Sequence, residues 1–140
     1  MANSLPFRVG MSLAVASGMS VKKLEDLVAY QLAVECKKEV YRLVQAHPTA
    51  HSDFRYRSQV YESAASAEAN IAEGWRRYGA RDMSRFLKYA LGSIEETKRR
   101  VTDGAHRGYF SEEACEPAPA LARRCGAATM GLWKSLGPYR

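Results

Sequence analysis

No stretch of the chain approaches the ~20 consecutive apolar residues a membrane-spanning helix needs, so no membrane association is expected. Strand-like alternation, internal repeats and low-complexity tracts are also missing, which removes sheet, solenoid and disordered architectures. Cysteine is sparse. Cys36, Cys115 and Cys125 are odd in number and form no Cys-x-x-Cys pair, which argues against a disulfide framework and fits a reducing cytoplasm. Catalytic signatures are lacking as well. There is no P-loop, no Gly-x-Ser-x-Gly elbow and no Glu-x-x-His pair of the kind di-iron bundles use. No catalytic residue, metal or cofactor is therefore expected.

What is present is an ordinary globular composition in 140 residues, with 46% hydrophobic and 26% charged side chains, enough for one buried core. Net charge is +6 and the pI about 9.4, a balance suited to an anionic partner. The surplus is localised. Between Trp75 and Arg107 nine Lys or Arg stand against four Asp or Glu. Glu95 with Arg99 and Glu96 with Arg100 have the i, i+4 order that pairs charges on a solvated helix face.

The organising stretch runs from Ala64 to Ile94. Small side chains at Ala64, Ala65, Ser66, Ala67 and Ala69 favour helix and permit close approach of a second one. Met83, Leu87, Ala90, Ile94, Thr97 and Val101 follow at spacings of four and three, the seam of a bundle. Around this hairpin the chain reads in order. Residues 1–20 join no periodic pattern and read as a flexible extension, or as an overlong start with Met11 or Met19 as initiator. Residues 21–140 form the bundle domain. A first helix spans about Lys22 to Ala46, with stripes Ala29-Ala33-Cys36-Val40-Leu43 and Leu27-Tyr30-Val34-Tyr41-Val44, and stops at His47-Pro48. A short polar loop, 47–52, leads to a second helix capped by Ser52 or Asp53 and running through Phe54, Val60, Tyr61, Ala64, Ala67 and Ile71 to about Trp75. The third helix spans about Arg81 to Arg107; Gly92 in its interior costs roughly 1 kcal/mol relative to alanine, which close contact with a neighbour would offset. Before the fourth helix, Pro117 and Pro119 leave two options, a short turn over 111–116 with the helix starting at a proline, or one bent helix. The fold class is all-α, an antiparallel up-down-up-down four-helix bundle.

Candidate binding residues cluster after the second helix. Arg76, Arg77, Tyr78, Arg81, Arg85 and Lys88 combine phosphate-seeking charge with an aromatic, a composition suited to nucleic acid, and Arg55 and Arg57 flank Tyr56 in a smaller version. The competing reading has the arginines merely solvating a bundle end that Trp75 and Tyr78 plug. Asn70 and Glu73 share a face with Ser66, and such polar groups beside alanine more often fix helix register or an oligomer contact than perform acid-base chemistry. His47 and His51 have ligand spacing, but Pro48 stands between them and no carboxylate motif accompanies them.

Ala69-Asn70-Ile71-Ala72-Glu73-Gly74-Trp75, followed by Arg76, Arg77, Phe86-Leu87 and Ala90-Leu91-Gly92-Ser93-Ile94-Glu95-Glu96, closely resembles the signature of the four-helix bundle proteins encoded in 23S rRNA intervening sequences. The resemblance extends from about Leu24 to Leu136. Ala67-Glu68 stands where that family usually has Ile-Pro, so a proline kink is not implied. The resemblance implies a homopentamer, with Asn70, Glu73, Gly74, Trp75 and Gly92 as its oligomer or helix-packing motif. It is similar also to the basic pentameric accessory proteins of diversity-generating retroelements, which implies RNA or DNA as a partner and a reverse transcriptase or other protein as another. The alternative is an oligomeric protein-interaction scaffold that binds no nucleic acid.

Overall fold

The computed structural model describes residues 21–140; the expected N-terminal extension, 1–20, lies outside the described residues. Four long helices carry the fold: α1 (Val28–Gln45), α3 (Phe54–Arg76), α4 (Ala80–His106) and α6 (Pro117–Ser135), with short helices α2 (Pro48–Ser52) and α5 (Glu112–Cys115) in two of the connections. They pack antiparallel, α1 and α4 each lying against both α3 and α6. None of the described helices is long and apolar enough to cross a membrane.

The helix ends show where local chemistry decides. α1 begins six residues later than the apolar stripes predict. The Asp26 carboxylate accepts the backbone N–H groups of Lys22 and Lys23 at 3.0 and 3.2 Å, closing a 3-10 turn over Leu24–Asp26 that leaves Leu27 extended. The expected loop at 47–52 is instead the helix α2, with Pro48 in its first turn and Ala50 buried. Proline there forfeits only an N–H that a first turn leaves unpaired anyway. Before α6 the first proline option holds. Ser111 caps α5 by accepting the Ala114 N–H, and α6 starts at Pro117.

In α4 the predicted seam is continuous: Met83, Leu87, Ala90, Ile94, Thr97 and Val101 are all buried. Gly92 is a correction, because a β-carbon there would meet nothing within 4 Å and the position faces open space. The crowded glycine is Gly104, where a β-carbon would overlap the Tyr56 hydroxyl and the Phe110 ring. Phe54 is a second correction. It is 71% exposed, and Tyr56 takes the interior place, its hydroxyl donating to the Arg100 carbonyl at 2.8 Å.

Mid-bundle, the core is built from small groups. Ala33, Ala64, Ala67, Ala122, Cys36 and Cys125 surround a cavity of about 10 Å³, the size at which a single water just fits. Burial pushes the Cys36 thiol up to about 12 and Cys125 to about 11, so both remain neutral and pack as small hydrophobes. Between α3 and α4 runs a polar ladder. Thr97 donates to the Ser63 hydroxyl at 3.0 Å, the Ser66 and Ser93 hydroxyls lie 2.8 Å apart, and Asn70 donates to the Ser66 carbonyl at 2.9 Å and to its hydroxyl at 3.1 Å.

At the end remote from the α3–α4 turn, Asp53 serves three partners. It caps α3 through the Tyr56 N–H at 3.1 Å, accepts the Tyr109 hydroxyl, and lies 3.7 Å from Arg107. The Tyr109 bond first, then the Tyr56 N–H and the Arg107 charge, hold its carboxyl below the usual carboxylate range. A carboxyl depressed by folding contributes stability that is complete above its unfolded value, about 3.9, and is lost as pH falls through the folded value. Denaturation midpoints measured from pH 5 down through pH 2 should therefore fall on acidification less steeply in Asp53→Asn than in the unaltered protein. Parallel profiles would show that Asp53 carries none of the acid sensitivity.

Candidate functional site

The turn between α3 and α4 is built from packing on one side and charge on the other. Arg77 and Gly79 are extended and end the helices on either side. A β-carbon on Gly74 would sit 3.3 Å from the Phe86 Cβ and 3.5 Å from the Met83 carbonyl. The glycine therefore lets α4 lie close against α3, and α3 runs two residues past it. Trp75 is buried at 8% exposure, whereas Tyr78 is 70% exposed. The two aromatics that the sequence groups together thus separate into a core residue and a surface residue.

The arginines separate too. Glu73 pairs with both Arg76, at 3.0 Å, and Arg77, at 2.8 Å, so it does not join Asn70 and Ser66 in the polar ladder. Arg77 also lays its guanidinium 4.6 Å from the Phe86 ring centre, and its Nε is buried without a hydrogen-bond partner. Arg85 approaches the same ring at 5.3 Å and Asp82 at 3.6 Å. Arg81 is exposed and has no ion pair among the described residues. Lys88 lies 5.6 Å from the Trp133 ring of α6. Arg76, Arg81, Arg85, Lys88 and Tyr78 are therefore brought to one end of the bundle and face solvent, with Arg77 partly committed to structure.

Arg55 and Arg57 are not part of that end. They sit at the start of α3, about 30 Å from Arg76 at a helical rise of 1.5 Å per residue. Arg57 donates to the His51 carbonyl at 2.6 Å and lies 5.6 Å from the Phe54 ring; Tyr56 between them is core. The sequence repeated a composition, and the fold sends the two copies to opposite ends. Of the i, i+4 pairs expected on α4, Glu96–Arg100 forms at 3.3 Å, but Glu95 reaches Lys98 at 2.7 Å instead of Arg99.

Sequence reasoning missed three contributors. Phe86 and Trp133 are the rings on which cations rest, and Arg140 lies 4.5 Å from the Trp133 ring centre. Trp133 is fixed by its indole N–H donating to the Ser84 hydroxyl at 2.7 Å. Its large ring next to Leu132, which α6 buries, was the available signal. The histidines do not converge on a ligand: His47 Nδ1 is 2.7 Å from the Leu43 carbonyl and its ring meets Phe110 edge-on. Among the described residues no group of three or more His, Cys, Asp or Glu is placed to hold a metal ion.

Glu68, at the place where Ile-Pro is usual in the resembled family, is engaged with α1. It pairs with Lys37 and accepts the Tyr30 hydroxyl at 3.3 Å, and α3 passes through this position unbroken. No curated protein matches the chain. A protein-family model described as the 23S rRNA-intervening sequence protein matches residues 25–129, and over that span lie the hairpin, its ladder and most of the cationic end: the chain belongs to the 23S rRNA-intervening sequence protein family.

Proposed function

We propose that this protein is a non-enzymatic oligomeric bundle that binds nucleic acid, RNA or DNA, through the cationic end where α3 turns into α4. The observation that carries the reading is the exposure of Arg76, Arg81 and Arg85 around the exposed ring of Tyr78. Guanidinium groups supply sequence-independent attraction to phosphates, and an uncovered aromatic offers a face to a base. Repetition of the patch in a homopentamer, the state the family resemblance implies, would multiply a modest affinity without new contacts. The outward side of α4, with Tyr89 half exposed and Gly92 open, is where a second copy would seat. A reverse transcriptase or another protein would be a further partner on the remaining surface. The three unpaired cysteines, all buried, suit a cytoplasmic setting.

Gel retardation of RNA and DNA fragments, with the native mass measured on the same preparation, tests this. Retardation should weaken steeply between about 50 and 200 mM salt, and the native mass should be near five times the 15.6 kDa chain. The opposing reading, a protein-interaction scaffold, draws on the Glu73 carboxylate that is already shared between two of the arginines. A defined polypeptide that copurifies after nuclease treatment, with no retardation even at low salt, would favour it.

A further inference from the structure

We infer that the ligand of this end is single-stranded nucleic acid, stacked on Tyr78 and held along a phosphate track that α6 completes. The inference rests on the nucleic-acid reading above and adds to it the strand state and a second helix.

Three observations lead there. First, Tyr78 is 70% exposed, with no ring partner, cation contact or hydrogen bond among the described residues. A large aromatic left uncovered within a cationic turn can serve a ligand that presents a flat face. Bases of a single strand present such faces, while those of a duplex are stacked on one another. Second, rings help to hold the cations, at Phe86 alongside the carboxylates of Glu73 and Asp82 and at Trp133 without one among the described residues. Phe86 carries the guanidiniums of Arg77 and Arg85, and Trp133 carries Lys88 and Arg140. A ring orients a cation without cancelling its charge. Lys88, Lys134 and Arg140 have no ion pair among the described residues, so they keep a full charge for phosphates.

Third, α6 ends at the right place. The bond from Trp133 to Ser84 fixes its last turn against the second turn of α4. Lys134, exposed, and Arg140 thereby join Arg81, Arg85 and Lys88, which follow one another along about 10 Å of α4 at 1.5 Å per residue. The track runs from the tip of the α3–α4 hairpin down to the end of α6, with Tyr78 at its upper end.

The test is fluorescence anisotropy with a labelled 12-nucleotide single strand, as RNA and as DNA, the same strand carrying abasic positions, and a duplex of equal phosphate number. The single strands should bind about tenfold tighter than the duplex, and whichever of the RNA and DNA arms binds tighter identifies the source. Tyr78→Ala should lose about tenfold on the intact strand and little on the abasic one, while Tyr78→Phe retains binding. Replacing Lys88, Lys134 and Arg140 together by Gln should flatten the salt dependence by about two in log–log slope, at roughly 0.7 per phosphate for single strands. Tyr78 is a surface residue of a turn, so a circular dichroism spectrum matching the unaltered protein is expected for its variants. Equal affinity for duplex and single strand, or a Tyr78→Ala variant that binds normally, overturns the stacking assignment while leaving nucleic-acid binding in place. An unchanged salt slope in the triple variant removes Lys88, Lys134 and Arg140, and with the last two the end of α6, from the track. Failure to bind any of the probes at low salt sinks this inference and the functional reading together.

Discussion

Replacing Gly104 by Ala is expected to cost about 2 kcal/mol of folding stability, although alanine is the better helix former. The site lies in the last turn of α4, where helix propensity alone favours the substitution by roughly 1 kcal/mol. Against this, the new β-carbon would overlap the Tyr56 hydroxyl and the Phe110 ring, with the Tyr56 Cζ at 2.9 Å. Neither ring has room to yield: both are buried, and Tyr56 is tied to the Arg100 carbonyl. Forcing a methyl into such a place costs about 3 kcal/mol, so the overlap wins. For a domain of this size the melting temperature should drop by about 6–10 °C. Gly92→Ala is the internal control with opposite sign. It lies in the same helix, meets nothing within 4 Å, and in the isolated protomer should gain up to about 1 kcal/mol. Equal behaviour of the two variants in chemical denaturation would mean that the Tyr56–Phe110 plug is not packed as described.

Reversing Arg76, Arg77, Arg81 and Arg85 to Glu should reduce nucleic-acid affinity at least about a hundredfold, ~2.7 kcal/mol, at 100 mM salt. Losing four phosphate contacts should also lower the log–log salt slope by about three. The ion pairs of Glu73 with Arg76 and Arg77 give the experiment a second arm. In Glu73→Gln those two guanidiniums are released from their carboxylate, and affinity should rise a few-fold rather than fall. Arg55→Glu with Arg57→Glu, altered at the far end of α3, should leave binding near its starting value in the isolated protomer. Retention of full affinity by the fourfold variant would remove the α3–α4 turn from the binding surface.

Which parts of this molecule were legible beforehand follows from the range of the forces involved. The α4 seam could be read because burial of one face repeats every three or four residues, and Met83 through Val101 obey that period without exception. The cap of α3 narrows to Ser52 or Asp53 in the sequence, and the start of α6 to a proline or a bend, because each involves groups three residues apart or fewer. The start of α1 could not, since the stripe continues through Leu27 while Asp26 captures the preceding N–H groups and turns the chain. Gly92 and Gly104 look alike in sequence; only the position of Tyr56, forty-eight residues before Gly104, distinguishes an open position from a filled one. The sequence groups cations around the α3–α4 turn, yet their split into committed and available charges depends on Glu73 and on two rings. The share supplied by α6 depends on a tertiary contact, Trp133 with Ser84, that no local pattern announces.

The ladder of hydroxyls and amide between α3 and α4 has a mechanical corollary. Sliding one helix past the other by a turn, 5.4 Å, would part Ser63 from Thr97 and Ser66 from Ser93, leaving Thr97 and Ser63 only the carbonyls of Ser93 and Val60 on their own helices. The hairpin therefore resists working as a piston. Like the prongs of a tuning fork joined at the base, its two rods take up load together, and tension applied at the tip is carried down their whole length instead of being absorbed by slippage.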